Sequence, residues 1–247
     1  MQAAIVTGVS RGLGAALAEA LLARDFTVVG VGRTPNAAPR SARYRFVACD
    51  LAAPAGIAGI MDPVLQELAA TRPASITLVN NAAVASPVGR IGRIDLAQAE
   101  AAIATNVAAP LALCNAFLRI FPDDAIARRI VNISSGAAQS PIAGSAVYCL
   151  SKAALEMLTR AIAAEQAAPN FRCIALRPGI FETDMQAYMR SHHPDDFPSV
   201  DLFHGFKAND LLKPPAEVAA MIVTRLVLAD VEHGRTYSHL DLAGEAN

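Results

Sequence analysis

Seven short runs rich in β-branched and apolar residues alternate with Ala- and Leu-rich stretches of helical period, and few folds accommodate such an alternation. The strand-like runs are 3–7, 27–31, 44–49, 76–79, 129–133, 172–176 and 236–239. Helical stretches lie at 13–24, 54–70, 97–121, 146–166 and 215–229, the last opened by a proline that suits a first helical turn. Strand and helix in repetition predict a doubly wound α/β domain, with parallel strands joined by helical crossovers. One segment breaks the pattern. Roughly 182–213 mixes prolines, aromatics, histidines and acids with little periodicity, and is expected to form an irregular lid. The residues after Leu242 are expected to be a loose tail.

The chain has 247 residues, of which 53% are hydrophobic and 17% charged, enough for one domain with a large core and too apolar for disorder. A net charge of −1 offers no basic footprint, so neither nucleic acid nor a membrane surface is an expected partner. Cys49, Cys114, Cys149 and Cys173 are widely spaced without a C-x-x-C pair, which fits reduced thiols better than disulfides or zinc. Met1-Gln2-Ala3-Ala4-Ile5-Val6 runs straight into a strand, and no apolar run reaches 18 residues without a charged or strongly polar break. A cytoplasmic protein is expected. His192, His193, Asp195, Asp196 and His204 gather in the lid segment, but their spacing fits no metal motif and Pro194 divides them, so no metal is expected.

The first strand ends in Thr7-Gly8-Val9-Ser10-Arg11-Gly12-Leu13-Gly14 and runs into the first helix. Glycines Gly8, Gly12 and Gly14 let the backbone turn sharply and approach a ligand, and a helix amino terminus offers unpaired N–H groups to a pyrophosphate. After the second strand, Gly32-Arg33-Thr34 has no acid where one would bind a ribose 2′-hydroxyl. Arg33 stands there instead, and its fork can hold a 2′-phosphate, with Arg11 closing from the other side. NADP(H) is therefore expected over NAD(H). Asp50, after the third strand, has two readings: acceptor for an adenine amino group with Leu51 beside the ring, or a helix N-cap.

Tyr148 and Lys152 stand four residues apart on a helical stretch, and Ser135 lies thirteen residues upstream of the tyrosine. Positions i and i+4 share a helix face, so phenol and ammonium would enter one space. A cation there is expected to lower the tyrosine pKa toward the working pH, preparing Tyr148 to exchange a proton with a carbonyl oxygen.

With Thr7-Gly8…Gly12…Gly14, Asp50-Leu51, Asn80-Asn81-Ala82, Asn106, Ser135, Tyr148…Lys152 and Pro178-Gly179…Thr183 in order, the chain resembles the short-chain dehydrogenase/reductase family over nearly its whole length. The resemblance implies a single Rossmann-type doubly wound domain with a seven-stranded parallel sheet flanked by helices. It also implies roles for individual residues. Ser135 would polarise the substrate, Tyr148 would be the general acid, and Lys152 would hold the nicotinamide ribose. Asn106 would hold a water for proton resupply, although a helix-interior polar residue satisfied locally is its other reading. Asn81 and the glycine turn, with Ser10 and Leu13, would hold the cofactor, while Pro178, Gly179, Ile180 and Thr183 would meet its nicotinamide end. Ala83 departs from the family pattern, which usually has glycine there.

Three stretches, 131–138, 148–153 and 178–186, resemble the sepiapterin reductase and bacterial benzil reductase branch most closely. They imply reduction of a dicarbonyl such as a 1,2-diketone. Gln139, Ser140, Pro141, Ala143, Gly144 and Val147 are expected to line the substrate pocket, with Met185, Met189 and Phe181 covering it. Asp241 would anchor a polar substrate on the sepiapterin pattern, or be an exposed acid. Oxidation of a secondary alcohol and a non-catalytic NADP(H)-binding redox sensor are the alternative functions. The apolar, small-residue helices imply a homodimer, with a tetramer as the alternative.

Overall fold

The computed structural model describes residues 1–35, 41–122 and 125–243; the tail expected after Leu242 lies almost wholly outside them. Seven parallel strands form one sheet in the order β3-β2-β1-β4-β5-β6-β7. They are β1 Gln2–Thr7, β2 Phe26–Gly32, β3 Tyr44–Ala48, β4 Ser75–Asn80, β5 Ala127–Ile133, β6 Phe171–Arg177 and β7 Thr236–Ser238. The helices are α1 Gly12–Leu22, α2 Ile57–Ala70, α3 Leu96–Ile103, α4 Ala109–Ile120, α5 Ala146–Glu165, α6 Asp184–Arg190, α7 Val200–Ala208, α8 Pro215–Ile222 and α9 His239–Ala243. This is the Rossmann-type doubly wound architecture expected from the sequence.

Strand alternation divides the core into two layers. Ala3, Ile5, Val29, Val31, Ile76, Leu78 and Ile130 face one side, against Ile57, Met61 and Leu65 of α2 and Leu113 and Phe117 of α4. Ala4, Val6, Val28, Val79, Val131 and Ile174 face the other, against Leu17 and Leu21 of α1 and Val218 and Ile222 of α8. Both faces are covered, so the strand centres are mostly apolar rather than alternating in polarity, with charged residues such as Arg128, Arg129 and Arg172 towards the strand starts.

Three departures from the sequence reading have local causes. The helix expected at 97–121 is interrupted by a π turn, Ala104–Ala108, between α3 and α4. Pro110 would break an uninterrupted helix, but the extra residue of the π turn places it in the first turn of α4, where its missing N–H costs little. The same run, Leu96–Ile120, has the length and hydropathy of a membrane span. Here Ala109, Leu113, Ala116 and Phe117 are buried against the sheet layer, as in a core helix. Finally, the segment expected to be irregular holds α6 and α7, with Thr183 capping α6 by accepting from the Gln186 amide at 3.3 Å.

The sheet order reverses between β1 and β4, the switch point where ligands of open α/β sheets bind. Gly14 sets how closely α1 approaches that crevice. A Cβ at Gly14 would lie 2.1 Å from the Gly8 carbonyl oxygen, a backbone clash that no side-chain adjustment relieves. Gly14→Ala is therefore expected to destabilise the fold by about 1–3 kcal/mol in urea unfolding. A variant as stable as the parent would show that α1 moves aside freely.

Candidate active site

The carboxyl ends of β1, β4, β5 and β6 bring most of the sequence-selected residues into one crevice. Gly8 and Gly12 have φ of +74° and +56°, which glycine adopts readily, and a Cβ at Gly8 would sit 2.9 Å from the Ala82 Cα. The Thr7 hydroxyl accepts from the amides of Asn81 at 2.9 Å and Ala82 at 3.0 Å, while Asn81 Nδ2 donates to the Thr7 carbonyl at 2.9 Å. The glycine turn is thus pinned to the end of β4. No side chain among the described residues caps α1, whose N-cap Arg11 is extended. Its first amides and dipole end therefore face the crevice in the manner that binds phosphate. Ser10 and Arg11 are exposed and Leu13 is buried.

The two arginines have different surroundings. Arg11 is paired with Asp184 at 2.6 Å, joining the glycine turn to the first residue of α6. Arg33 is exposed at the end of β2 and has no acidic partner among the described residues. Asp50 accepts from the Ala52 amide at 3.0 Å, so one oxygen closes a local turn; the helical segment that follows starts only at Pro54. Leu51 is buried in the core.

Tyr148 and Lys152 share one face of α5, with the Lys152 ammonium 5.5 Å from the tyrosine ring centroid. Lys152 is 2% exposed and donates to the Ile133 carbonyl at 2.7 Å. Ser135 begins the turn Gly136–Ala138, accepting from the Ala137 amide at 3.2 Å, and its hydroxyl lies close enough to the Tyr148 phenol to favour the phenolate. Asn106 is buried in the π turn. Its Oδ1 accepts from Val84 N at 2.9 Å, and its Nδ2 donates to Val84 O at 2.8 Å and Ser151 Oγ at 3.2 Å. The side chain is satisfied locally.

Gly179, at φ +81°, leaves room for the His239 ring, which would be 2.9 Å from an added Cβ. Ile180 accepts from the Lys213 amide at 3.4 Å, and the Thr183 methyl lies 3.4 Å from the position of a Cβ on Gly12. Thr183 therefore lies against the glycine turn at Gly12, while Gly179 packs on His239.

The sequence profile described as short chain dehydrogenase matches residues 2–194. The chain belongs to the short-chain dehydrogenase family. Benzil reductase ((S)-benzoin forming) of Bacillus subtilis is 31% identical over 239 residues, covering 96% of this chain and 98% of that protein. The Bacillus cereus benzil reductase is 29% identical, covering 95% and 97%. Sepiapterin reductase of Meriones unguiculatus is 32% identical over 207 residues, covering 77% of this chain and 78% of its own. Among solved structures, the KRED1-Pglu enzyme superposes with a TM-score of 0.81 at 26% identity, covering 96% of this chain and all of that one.

A short-chain dehydrogenase is an oxidoreductase that acts on carbonyl or alcohol groups with a nicotinamide cofactor. The uncapped α1 terminus and the Gly8–Gly14 contact form a cradle that fits such a cofactor. An apolar cluster surrounds Tyr148 in this short-chain dehydrogenase. Tyr148, Val88, Ile142, Met185, Met189 and Phe197 belong to one cluster with Phe203 and Phe206 of α7. Phe181, expected to cover the site, packs instead into the layer beneath α1 and α8. Val147, expected in the pocket, faces Ala99 and Ala102 of α3 because it sits one residue around the helix from Tyr148. Sequence reasoning missed Glu156 and Arg177, which form a bidentate pair beside Ser134. Their signal was an acid one turn beyond Lys152, on the helix face that also carries Ser151 and Thr159.

The expected lowering of the tyrosine pKa does not occur in this fold. Burial pushes Tyr148 up to about 12, more than the nearby Ser135 hydroxyl lowers it, and burial pulls Lys152 down to about 8. Desolvation disfavours both charged forms, and the ammonium is directed to the Ile133 carbonyl rather than to the phenol. The lysine makes stability pH-dependent. Below pH 8 both folded and unfolded chains hold its proton, and folding bears the full desolvation penalty. Between about 8 and 10.5 the unfolded chain keeps a proton the folded chain has lost, so stability rises with pH. Tyr148 acts oppositely above pH 10. Relative to Lys152→Met, the wild type is expected to gain about 2 kcal/mol between pH 7.5 and 9.5 in urea titrations. An unchanged difference would show that the ammonium is not desolvated.

Proposed function

We propose that the protein is an NADPH-dependent carbonyl reductase acting on an aryl ketone or 1,2-diketone of the benzil type. The observation that carries this reading is the Ser135, Tyr148 and Lys152 set lying under an apolar wall of methionines and phenylalanines. The bound cofactor supplies the hydride. Tyr148 then protonates the carbonyl oxygen, and Ser135 donates a hydrogen bond to the charge that develops there. The phenol is protonated at neutral pH, the state a proton donor requires. Lys152 holds the nicotinamide ribose. The Asn106 side chain is engaged with Val84 and Ser151, so a water for proton resupply would meet its main chain.

The cofactor lies from Gly8, Ser10, Arg11, Gly12, Leu13 and Gly14, past Asp50, Leu51 and Asn81, to Pro178, Gly179, Ile180 and Thr183. Arg33 supports NADPH over NADH, because it occupies the ribose end where an acid would otherwise exclude a 2′-phosphate. Two observations favour a diketone over a pterin. Both Asp241 oxygens are engaged, Oδ2 by Ser238 N and Oγ at 2.6 and 2.7 Å and Oδ1 by Arg235 at 2.9 Å, so this acid is not free to anchor a polar ring. The benzil reductases also align over a larger share of the chain than the sepiapterin reductases. The chain acts as one cytoplasmic domain and assembles as a homodimer through α4 and α5, a pairing supported by exposed Leu111, Leu150 and Met157.

Tyr148→Phe is expected to lower kcat/KM for benzil by about a thousandfold in NADPH-oxidation assays while the protein remains folded by circular dichroism. Retention of a tenth of the activity would remove the proton-donor role. Gly32→Asp has room for its side chain, since a Cβ there would stand 3.9 Å from Phe46. It is expected to shift preference from NADPH toward NADH by at least about tenfold through charge repulsion. An unaltered ratio would sink the Arg33 argument.

A further inference from the structure

One carboxylate outside the reacting set joins the elements that carry it. Glu156 stands on α5 one turn beyond Lys152 and is 8% exposed. Its Oε1 accepts from Ser134 Oγ at 2.7 Å and Arg177 Nε at 2.8 Å, and its Oε2 accepts from Arg177 Nη2 at 2.7 Å. Arg177 Nη1 continues to Gln139 Oε1 at 2.7 Å. Each partner adjoins a site element. Ser134 precedes Ser135, Arg177 precedes the Pro178-Gly179 turn, and Gln139 ends the short turn that Ser135 caps.

A guanidinium paired with both carboxylate oxygens fixes direction as well as distance, which a point charge cannot do. Burial pushes the Glu156 carboxyl up, yet the hydrogen bonds of Arg177 and Ser134 outweigh it and hold the group below the usual carboxylate range. The pair is therefore charged at neutral pH. Neither residue is among the groups assigned to the crevice's reacting set. What Glu156 and Arg177 can set is the placement of Ser135 and the 178–180 turn relative to the helix that presents Tyr148.

We infer that Glu156 and Arg177 are a positioning pair that holds Ser135 and the Pro178-Gly179 turn in register with Tyr148; the inference rests on the roles proposed above for Ser135 and Tyr148. Loosening the pair would displace both elements by a fraction of an ångström, which lowers turnover more than it weakens binding.

The test compares Glu156→Gln, Arg177→Lys, the double variant and Tyr148→Phe in the full chain, with NADPH and benzil. Each single positioning variant is expected to lower kcat about 10- to 100-fold with KM for benzil changed less than about threefold. The double variant falls no further than the worse single, because both remove one shared interaction. In the protein without added cofactor, amide exchange at 134–139 and 178–181 is expected to accelerate at least about tenfold while β1 and β2 are unaffected. Folded variants with wild-type kcat, or exchange raised uniformly over the domain, would overturn the inference. Should Glu156→Gln not fold, Arg177→Lys carries the same readings, since lysine cannot hold two oxygens and Gln139 together; failure of both to fold marks the pair as purely structural and overturns the inference. With Tyr148→Phe inactive, wild-type turnover in the pair variants sinks the pair alone, whereas an active Tyr148→Phe overturns the catalytic reading and the pair with it.

Discussion

Helix α5 is fastened to the sheet by a polar stripe rather than by apolar packing alone, and the geometry of the crevice depends on it. Ser151 accepts from Asn106, Lys152 donates to the Ile133 carbonyl, Glu156 accepts from Ser134, and Thr159 accepts from Asn132 at 2.8 Å. Asn132 in turn accepts from Asn80 at 2.8 Å, carrying the chain of bonds from α5 through β5 to β4. Each such bond contributes only about 1 kcal/mol net, and up to about 3 where a charge takes part. Their value lies in what they forbid. Sliding or rotating α5 by one residue would leave several buried polar groups unpaired at once, so the helix has one register, and Tyr148 has one place to be.

Backbone proximity governs the opposite wall in a similar way. Thr7, Gly8, Gly14, Asn81 and Ala82 interlock so closely that the crevice at the sheet's switch point has little freedom to widen. One wall is fixed by hydrogen-bond direction and the other by the absence of side chains. Between them the apolar cluster of α6 and α7 rests on Tyr148, and the Arg11–Asp184 pair links that cover to the glycine turn.

The strands were legible because a fully covered parallel sheet demands apolar runs, and every predicted run became a strand with its ends shifted by a residue or two. The π turn was not legible, since Pro110 in a helical pattern is as compatible with a kink as with an added residue. Helices α6 and α7 are too short to show periodicity, although Thr183 and Gln186 have the spacing of a capped helix start. The glycine turn and the Tyr148, Lys152 and Ser135 set were visible as spacing. What spacing could not convey was burial. It left the direction of the Tyr148 pKa shift wrong and concealed the Glu156–Arg177 pair.

The contact between His239 and Gly179 brings α9 to the crevice, unlike the start of β1. β1 enters the sheet at its centre with Gln2 at the edge remote from the crevice, whereas α9, directly after β7, lays an imidazole on the turn that bounds the site. Gly179 can carry no side chain without striking that ring. A displacement of α9 therefore reaches the Pro178-Gly179 turn through one ring, without passing through the sheet.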